Sequence, residues 1–301
     1  MSKMSMRLPE AAGALSEGTS IAIAQTVQWA DINLAFGSVA TGYVCKGQGR
    51  PLVLLHGFDS SLFEFRRLVP LLAEQFKVYA VDLLGFGFCD RAKVCKRTGA
   101  DADRVNPTDI RAHLFAFLDQ VIGEPVILAG ASMGGGVAID FAVNHPEQVS
   151  QLVLLDAVGY ATASGPGKLM VPPLDRWATN FLRNAWVRRK ISENAYYDKS
   201  FVTPDAELCA SLHLLMPYWS EALIAFTKSG GYNFLSDKIS QISMPTLVLW
   251  GRQDKILGVK DAARFEADLT NGTLVWIEDC GHVPHLEQAK LTAEQMTNFL
   301  T

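Results

Sequence analysis

An apolar run, Val126-Ile127-Leu128-Ala129, leads into Gly130-Ala131-Ser132-Met133-Gly134-Gly135, and a helix-forming stretch over 137–144 follows directly. A strand that turns at once into a helix brings the two elements into close crossing. Only small residues leave room there, and Gly130, Gly134 and Gly135 stand at the crossing. The serine between them is held in a strained conformation at a strand end and a helix start. Its hydroxyl stands clear of the sheet edge, and the Met133 N–H can face a developing negative charge. The G-x-S-x-G pattern recurs by chance in proteins of this size, so its weight depends on the strand, the helix and the companion residues.

Short apolar runs at 52–55, 78–81, 126–129, 152–155, 246–250 and 273–277 read as buried strands. Helical periodicity over 61–75 puts Phe65, Leu68, Leu71 and Leu72 on one face. A second helix, 108–122 after Pro107, turns Ile110, Leu114, Phe117, Leu118 and Val121 inward. Residues 260–269 and 286–300 supply further helices. This alternation predicts an α/β architecture, a mostly parallel central sheet with helices on both faces. Antiparallel edge strands are expected at 43–45 and within 23–36. With 49% apolar residues in 301, the chain can bury a large core.

Residues 160–240 break the alternation. Gly165-Pro166-Gly167 and Pro172-Pro173 open the stretch. Helical segments follow, with Trp177, Phe181, Trp186, Tyr196, Tyr197, Trp219, Phe226 and Tyr232 among them and no strand pattern. The expected organisation is a helical cap over 160–240, inserted between core segments 21–159 and 241–301. A loose tail is expected over 1–20. Most of the cap aromatics are expected to pack the cap's own interior.

A serine hydroxyl is a poor nucleophile at neutral pH and needs a base, with a carboxylate to orient that base. The run at 246–250 ends in Gly251-Arg252-Gln253-Asp254, and the run at 273–277 ends in Glu278-Asp279-Cys280-Gly281-His282. In a parallel sheet both loops emerge on the edge that carries Ser132. The order Ser132, Asp254, His282 is the one that an elbow-type site requires. Asp156, just past the run at 152–155, is the alternative carboxylate. His285 is read as a cap or pocket-wall residue, and His113, His145 and His213 as surface or packing residues. A second oxyanion donor beside Met133 is expected from the loop His56-Gly57-Phe58-Asp59. The donor is the N–H of Phe58, with Gly57 allowing close approach and His56 bracing the loop. Asp59 is expected to cap the next helix and to point away from the substrate.

The motifs His56-Gly57-Phe58, Asp82-Leu83-Leu84-Gly85-Phe86-Gly87, Gly130-Ala131-Ser132-Met133-Gly134-Gly135, Trp250-Gly251-Arg252-Gln253-Asp254 and Gly281-His282 together resemble the α/β-hydrolase fold superfamily. The branch resembled is that of the capped serine hydrolases, and the likeness runs from about Trp29 to the C-terminus. It implies that Asp82 braces a glycine turn and has no catalytic part.

A serine at the elbow turns the chemistry toward acyl carbonyls. The epoxide and carbon–halogen hydrolases of this superfamily use Asp there, because a serine ether would be a dead end. The resemblance implies a carboxylesterase for small-to-medium apolar esters, working through an acyl-enzyme without metal or organic cofactor. The alternative is a C–C bond hydrolase of vinylogous diketones, the ring-fission products of aromatic degradation. Such relatives typically have Asn before the serine and Trp after the histidine, where this chain has Ala131 and Val283. A ligand-binding receptor without turnover is a third possibility on the same fold.

The net charge of −4 gives no footprint for nucleic acid. No stretch approaches the roughly 20 apolar residues of a transmembrane helix, and no basic face is evident, so stable membrane insertion and firm membrane binding are not expected. Five scattered cysteines argue against a disulfide framework and for the cytoplasm.

Overall fold

The computed structural model describes residues 8–95, 104–160, 171 and 173–301. Eight strands, β1 (Gln28–Leu34), β2 (Gly37–Lys46), β3 (Pro51–Leu55), β4 (Lys77–Val81), β5 (Val126–Ala131), β6 (Val149–Leu155), β7 (Thr246–Gly251) and β8 (Gly272–Ile277), form one sheet. Their order is β1-β2-β4-β3-β5-β6-β7-β8. β1 and β2 pair antiparallel at one edge, β2 meets β4 antiparallel, and the remaining pairs are parallel. The helices are α1 (Gly18–Thr26), α2 (Val69–Leu72), α3 (Ala92–Cys95), α4 (Pro107–Phe117), α5 (Met133–Asn144), α6 (Leu174–Arg183), α7 (Ala185–Ala195), α8 (Pro204–Cys209), α9 (Trp219–Lys228), α10 (Lys260–Asp268), α11 (Pro284–Glu287) and α12 (Ala289–Leu300).

The central strands are buried along their whole length, as parallel strands with helices on both faces must be. Successive side chains go to opposite faces. Val53 and Leu55 of β3 join a core layer with Leu128 of β5, Phe117 of α4 and Phe141 of α5. Leu52 and Leu54 join the opposite layer with Ile127, Phe63 and Met296. All the parallel strands end on one edge, and the loops after β3, β5, β6, β7 and β8 gather there.

The inserted helical region, α6 to α9, lies between β6 and β7 and forms the cap, with no strand among its described residues. Gly165-Pro166-Gly167 and Pro172 lie outside the described residues. The cap aromatics divide: Tyr196, Trp219, Phe226 and Tyr232 are buried, whereas Trp177, Phe181, Trp186 and Tyr197 are exposed.

Several elements differ from the sequence expectation. The single helix expected over 61–75 is a 3-10 turn, Leu62–Phe65, followed by the short α2. Pro70 lacks the N–H that a continuous helix would need, and it sits where α2 begins afresh. The helix after Pro107 ends in a π turn, Leu118–Ile122. The final helix is split into α11 and α12 at Gln288. In the expected loose tail, residues 1–7 lie outside the described region, but Glu10–Ala14 is a 3-10 helix and α1 begins at Gly18. The reason is a tertiary anchor. Asp205 of the cap accepts hydrogen bonds from the Ser16 and Glu17 N–H groups and from the Ser20 hydroxyl.

Candidate active site

Ser132 stands at the N-terminus of α5 with φ 51° and ψ −117°, a region that non-glycine residues adopt only under strain. The elbow is fixed from both sides. The Ser132 N–H donates to the Leu155 carbonyl at 2.9 Å, and its carbonyl accepts from the Val158 N–H at 2.9 Å. A methyl group on Gly130 would run into the Gly134 carbonyl, and one on Gly134 into the carbonyls of Leu55 and His56. Within a wholly buried stretch, Ser132 alone is partly exposed.

Asp254 and His282 meet on the loops after β7 and β8. His282 Nδ1 lies 2.9 Å from Asp254 Oδ2, in a buried pair. The other Asp254 oxygen accepts from the N–H groups of Ile256 (2.7 Å) and Leu257 (3.1 Å). Three-point anchoring of this kind fixes the carboxylate and leaves Nε2 as the free nitrogen of the imidazole. The two loops are also tied to each other: the Gln253 N–H donates to the Cys280 carbonyl, and the Cys280 N–H donates to Gln253 Oε1.

Asp156 lies in the same cluster. Its carboxylate, that of Asp254 and the His282 ring place atoms within 4.8 Å of one another. Asp156 Oδ1 accepts from the Gly251 N–H at 2.9 Å. Burial, and then the neighbouring Asp254 charge, raise its pKa well above the ordinary carboxylate value. The cluster has the composition of a metal site. Its Asp254 oxygens, however, are committed to three hydrogen bonds and one Asp156 oxygen to another.

The loop after β3 completes the site. A methyl group on Gly57 would touch the Ser132 Cβ at 3.4 Å. The N–H groups of Phe58 and Met133 donate to no other group among the described residues. The Gly57 N–H donates to Glu64 Oε2 at 2.9 Å, and Glu64 Oε1 lies 3.0 Å from His285 Nε2. His56 is fully buried. Its Nδ1 lies 2.8 Å from the Gly57 carbonyl, and Nε2 accepts from the Leu83 N–H. Burial pulls its pKa down to about 4, so the ring is neutral and acts as a brace.

Asp59 does not cap a helix. Ser61 precedes the 3-10 turn, and Asp59, at φ 49°, turns its buried carboxylate into the cap. It accepts from Arg188 Nη1 at 2.6 Å and from Trp219 Nε1 at 2.7 Å, and lies 3.1 Å from His213 Nε2. Burial would raise its pKa, but the contact with His213, then Arg188 and Trp219, outweigh it and lower the value to about 2. His213, read as a surface or packing residue, is buried and partners Asp59. His285, read as a cap or pocket-wall residue, lies within α11 with its Nε2 3.0 Å from Glu64 Oε1. Arg188, Glu64 and Glu287 went unnoticed in the sequence, because a lone charge in a helical pattern carries no mark of its distant partner. A second serine–carboxylate contact, Ser20 Oγ to Asp205 Oδ2 at 2.6 Å, is fully buried and lacks a histidine, since His213 faces Asp59.

The fold and this site define a serine-hydrolase type of α/β protein with a candidate Ser/Asp/His triad. Residues 52–295 match the model of the Alpha/beta hydrolase family, and the chain belongs to that family. It is 34% identical over 251 residues to the alpha/beta hydrolase domain-containing protein VTE7 of Arabidopsis thaliana, covering 83% of this chain and 73% of the relative. It is 27% identical to the 2-hydroxy-6-oxononadienedioate/2-hydroxy-6-oxononatrienedioate hydrolase of Paraburkholderia xenovorans (strain LB400), over 95% and 99% of the two chains. Among solved structures it resembles a serine hydrolase involved in carbazole degradation, with a TM-score of 0.73 and 23% identity over 91% and 98% of the chains. No helix among the described residues is long and apolar enough to cross a membrane.

Proposed function

We propose that the chain is a C–C bond hydrolase that cleaves vinylogous diketones of the ring-fission type, with Ser132, His282 and Asp254 as its triad. The observation that carries the serine chemistry is the buried Asp254–His282 pair at the sheet edge that also holds the strained Ser132. The bond class is supported by the relatives, which include hydrolases named for such substrates. In this reading His282 takes the Ser132 proton as the hydroxyl oxygen bonds to the ketone carbon. The Phe58 and Met133 N–H groups receive the oxyanion. The C–C bond then breaks, its electron pair passes into the conjugated carbonyl system, and His282 returns the proton. Water hydrolyses the remaining acyl ester by the same route.

Ester hydrolysis is the second reading, favoured by Ala131 and Val283 at the positions flanking serine and histidine. The apolar wall beside the oxyanion loop also suits it: Phe58, Phe86 and the cap residue Phe226 have ring centroids 5.3–6.1 Å apart. The five cysteines, none of them in a disulfide, support a reducing compartment. The test is a paired assay of wild type and Ser132→Ala on a 2-hydroxy-6-oxo-dienoate and on a p-nitrophenyl ester series. Turnover of the dienoate by wild type alone supports the first reading. Turnover of esters alone replaces it with the second. No turnover of either would leave a ligand-binding role and end both.

A further inference from the structure

We infer that the cap and the core enclose a binding site for a small carboxylate, with Arg66 as its anchor. Arg66 is 2% exposed. Its Nη1 donates to the Phe63 carbonyl at a long 3.4 Å. Its Nε and Nη2 have no hydrogen-bond partner among the described residues. A buried guanidinium is ordinarily paired, because the charge gives up water on burial and must find acceptors inside the protein. The acids that feel this charge are committed elsewhere. Glu17 pairs with Arg67 at 2.7 and 2.9 Å. Asp205 accepts from the Ser16 and Glu17 N–H groups and from the Ser20 hydroxyl. Buried donors left over in this way point to a ligand that belongs beside them.

Arg66 lines a cavity of about 60 Å³ between the 3-10 turn at Leu62–Phe65 and the cap helices α7 and α8. Its charge acts on the Tyr196 hydroxyl and the Cys209 thiol, two walls of that cavity, which puts the guanidinium on this side. Arg66 also borders a pocket beside α1, but the threonine hydroxyls there are spent, Thr19 on Glu17 and Thr26 on the Ala22 carbonyl. A water needs ~10–15 Å³ of such volume, so about four non-hydrogen atoms fit, the size of acetate. The two unpartnered nitrogens form one edge of the planar fork, and a carboxylate takes two parallel bonds from such an edge. Ser192 and Tyr196 bring hydroxyl groups to the same walls. Two acids border the cavity, and each is countered: Glu64 accepts from the Gly57 N–H and lies against His285, and Glu207 lies 3.3 Å from Arg189 Nη1. Ser192 and Glu207 are partly exposed and mark the way in. The inference does not depend on which bond the site cleaves, and hydrolysis of any acyl ester releases a group of this class.

The test is isothermal titration calorimetry of the full chain with sodium acetate, sodium butyrate and sodium chloride at constant ionic strength. Wild type should bind acetate saturably and butyrate much more weakly, since the longer chain overfills the cavity. Arg66→Lys keeps the charge but loses the planar fork, and should weaken acetate binding at least ~10-fold. Ser192→Leu, at the partly exposed wall, should block the cavity and abolish binding without disturbing the fold. Either variant decides the matter, so misfolding of one leaves the test intact. The proposal is overturned if wild type gives no saturable heat with acetate. It is overturned if a folded variant binds acetate within twofold of wild type, which would place the anion elsewhere, the oxyanion hole included. Chloride binding as tight as that of acetate would make this a halide site and end the carboxylate assignment.

Discussion

Replacing Asp59 by Asn should loosen the cap and slow the chemistry together. The carboxylate is buried between the oxyanion loop and three cap side chains, and its pKa is held near 2 against an ordinary 3.8. A gap of nearly two units is ~2 kcal/mol of preference for the ionised form in this setting. The linkage sign follows from the depressed value: the stabilisation is complete above the unfolded pKa and is lost as pH falls toward 2. An asparagine cannot balance the Arg188 charge, although Arg188 keeps its 2.7 Å bond to the Ala210 carbonyl and some solvent contact. The net cost should be about 2 kcal/mol in urea unfolding, below the ~3–5 kcal/mol of a fully buried broken pair. Asp59 adjoins Phe58, the candidate oxyanion donor, and a donor of that kind contributes ~3–4 kcal/mol. A displaced loop should forfeit part of this, lowering kcat ~10-fold with little change in KM. A double-mutant cycle with Arg188→Gln should show a coupling of at least ~1 kcal/mol. A variant with kcat within twofold of wild type and stability within ~0.5 kcal/mol would refute the reasoning.

Ser132→Ala should abolish turnover of every substrate and leave thermal unfolding unchanged; residual activity above a percent or so would remove Ser132 from the chemistry. Asp254→Asn should lower kcat by ~10⁴. Asp156→Asn should cost far less, because an amide can still accept from Gly251 and donate toward Asp254; the opposite ranking would make Asp156 the orienting carboxylate. His113 is buried against the Thr41 hydroxyl at 2.7 Å, and burial lowers its pKa to about 4. The unfolded chain therefore takes up this proton first, and stability should fall by up to about 3 kcal/mol as pH drops from 6.5 to 4. His113→Gln should flatten that part of the stability profile, measured by urea unfolding across the range.

The strand–turn–helix at Ser132 was legible because its causes are local: an apolar run, small residues at a crossing, and a helix former beyond. Asp254 and His282 were legible by the same logic, since each follows a short apolar run whose end must lie on the active edge of a parallel sheet. What escaped the sequence is tertiary. Asp59 reads as a cap because an acid before a helix usually is one, and only the placement of Arg188, His213 and Trp219 gives it another use. The loose tail became ordered because Asp205, far along the chain, supplies acceptors for its N–H groups. The exposed face of α6 was hidden for a different reason. Periodicity reports that one face is apolar and is silent on which face turns inward, and here the usual assumption is reversed.

Helix α7 gives the cap a hold on both halves of the site. Near its start, Arg188 grips the oxyanion loop through Asp59. At its end, the Ala195 carbonyl accepts from the His282 N–H at 2.7 Å, and the N–H groups of Tyr197 and Asp198 just beyond donate to Glu287. Glu287 also accepts from the Gly281 N–H at 2.8 Å, so one carboxylate ties the histidine loop to the cap. A helix fastened at both ends moves as a unit, and any displacement of the cap must shift the oxyanion donor and the imidazole together. Glu287→Ala should therefore mimic Asp59→Asn in lowering kcat, although the two carboxylates serve different loops. With α7 as their common strut, the double variant should lose less than the product of the two single losses, because the second change releases a helix already free at one end. Independent, multiplicative losses in kcat would show that the two loops are held separately and that α7 couples nothing.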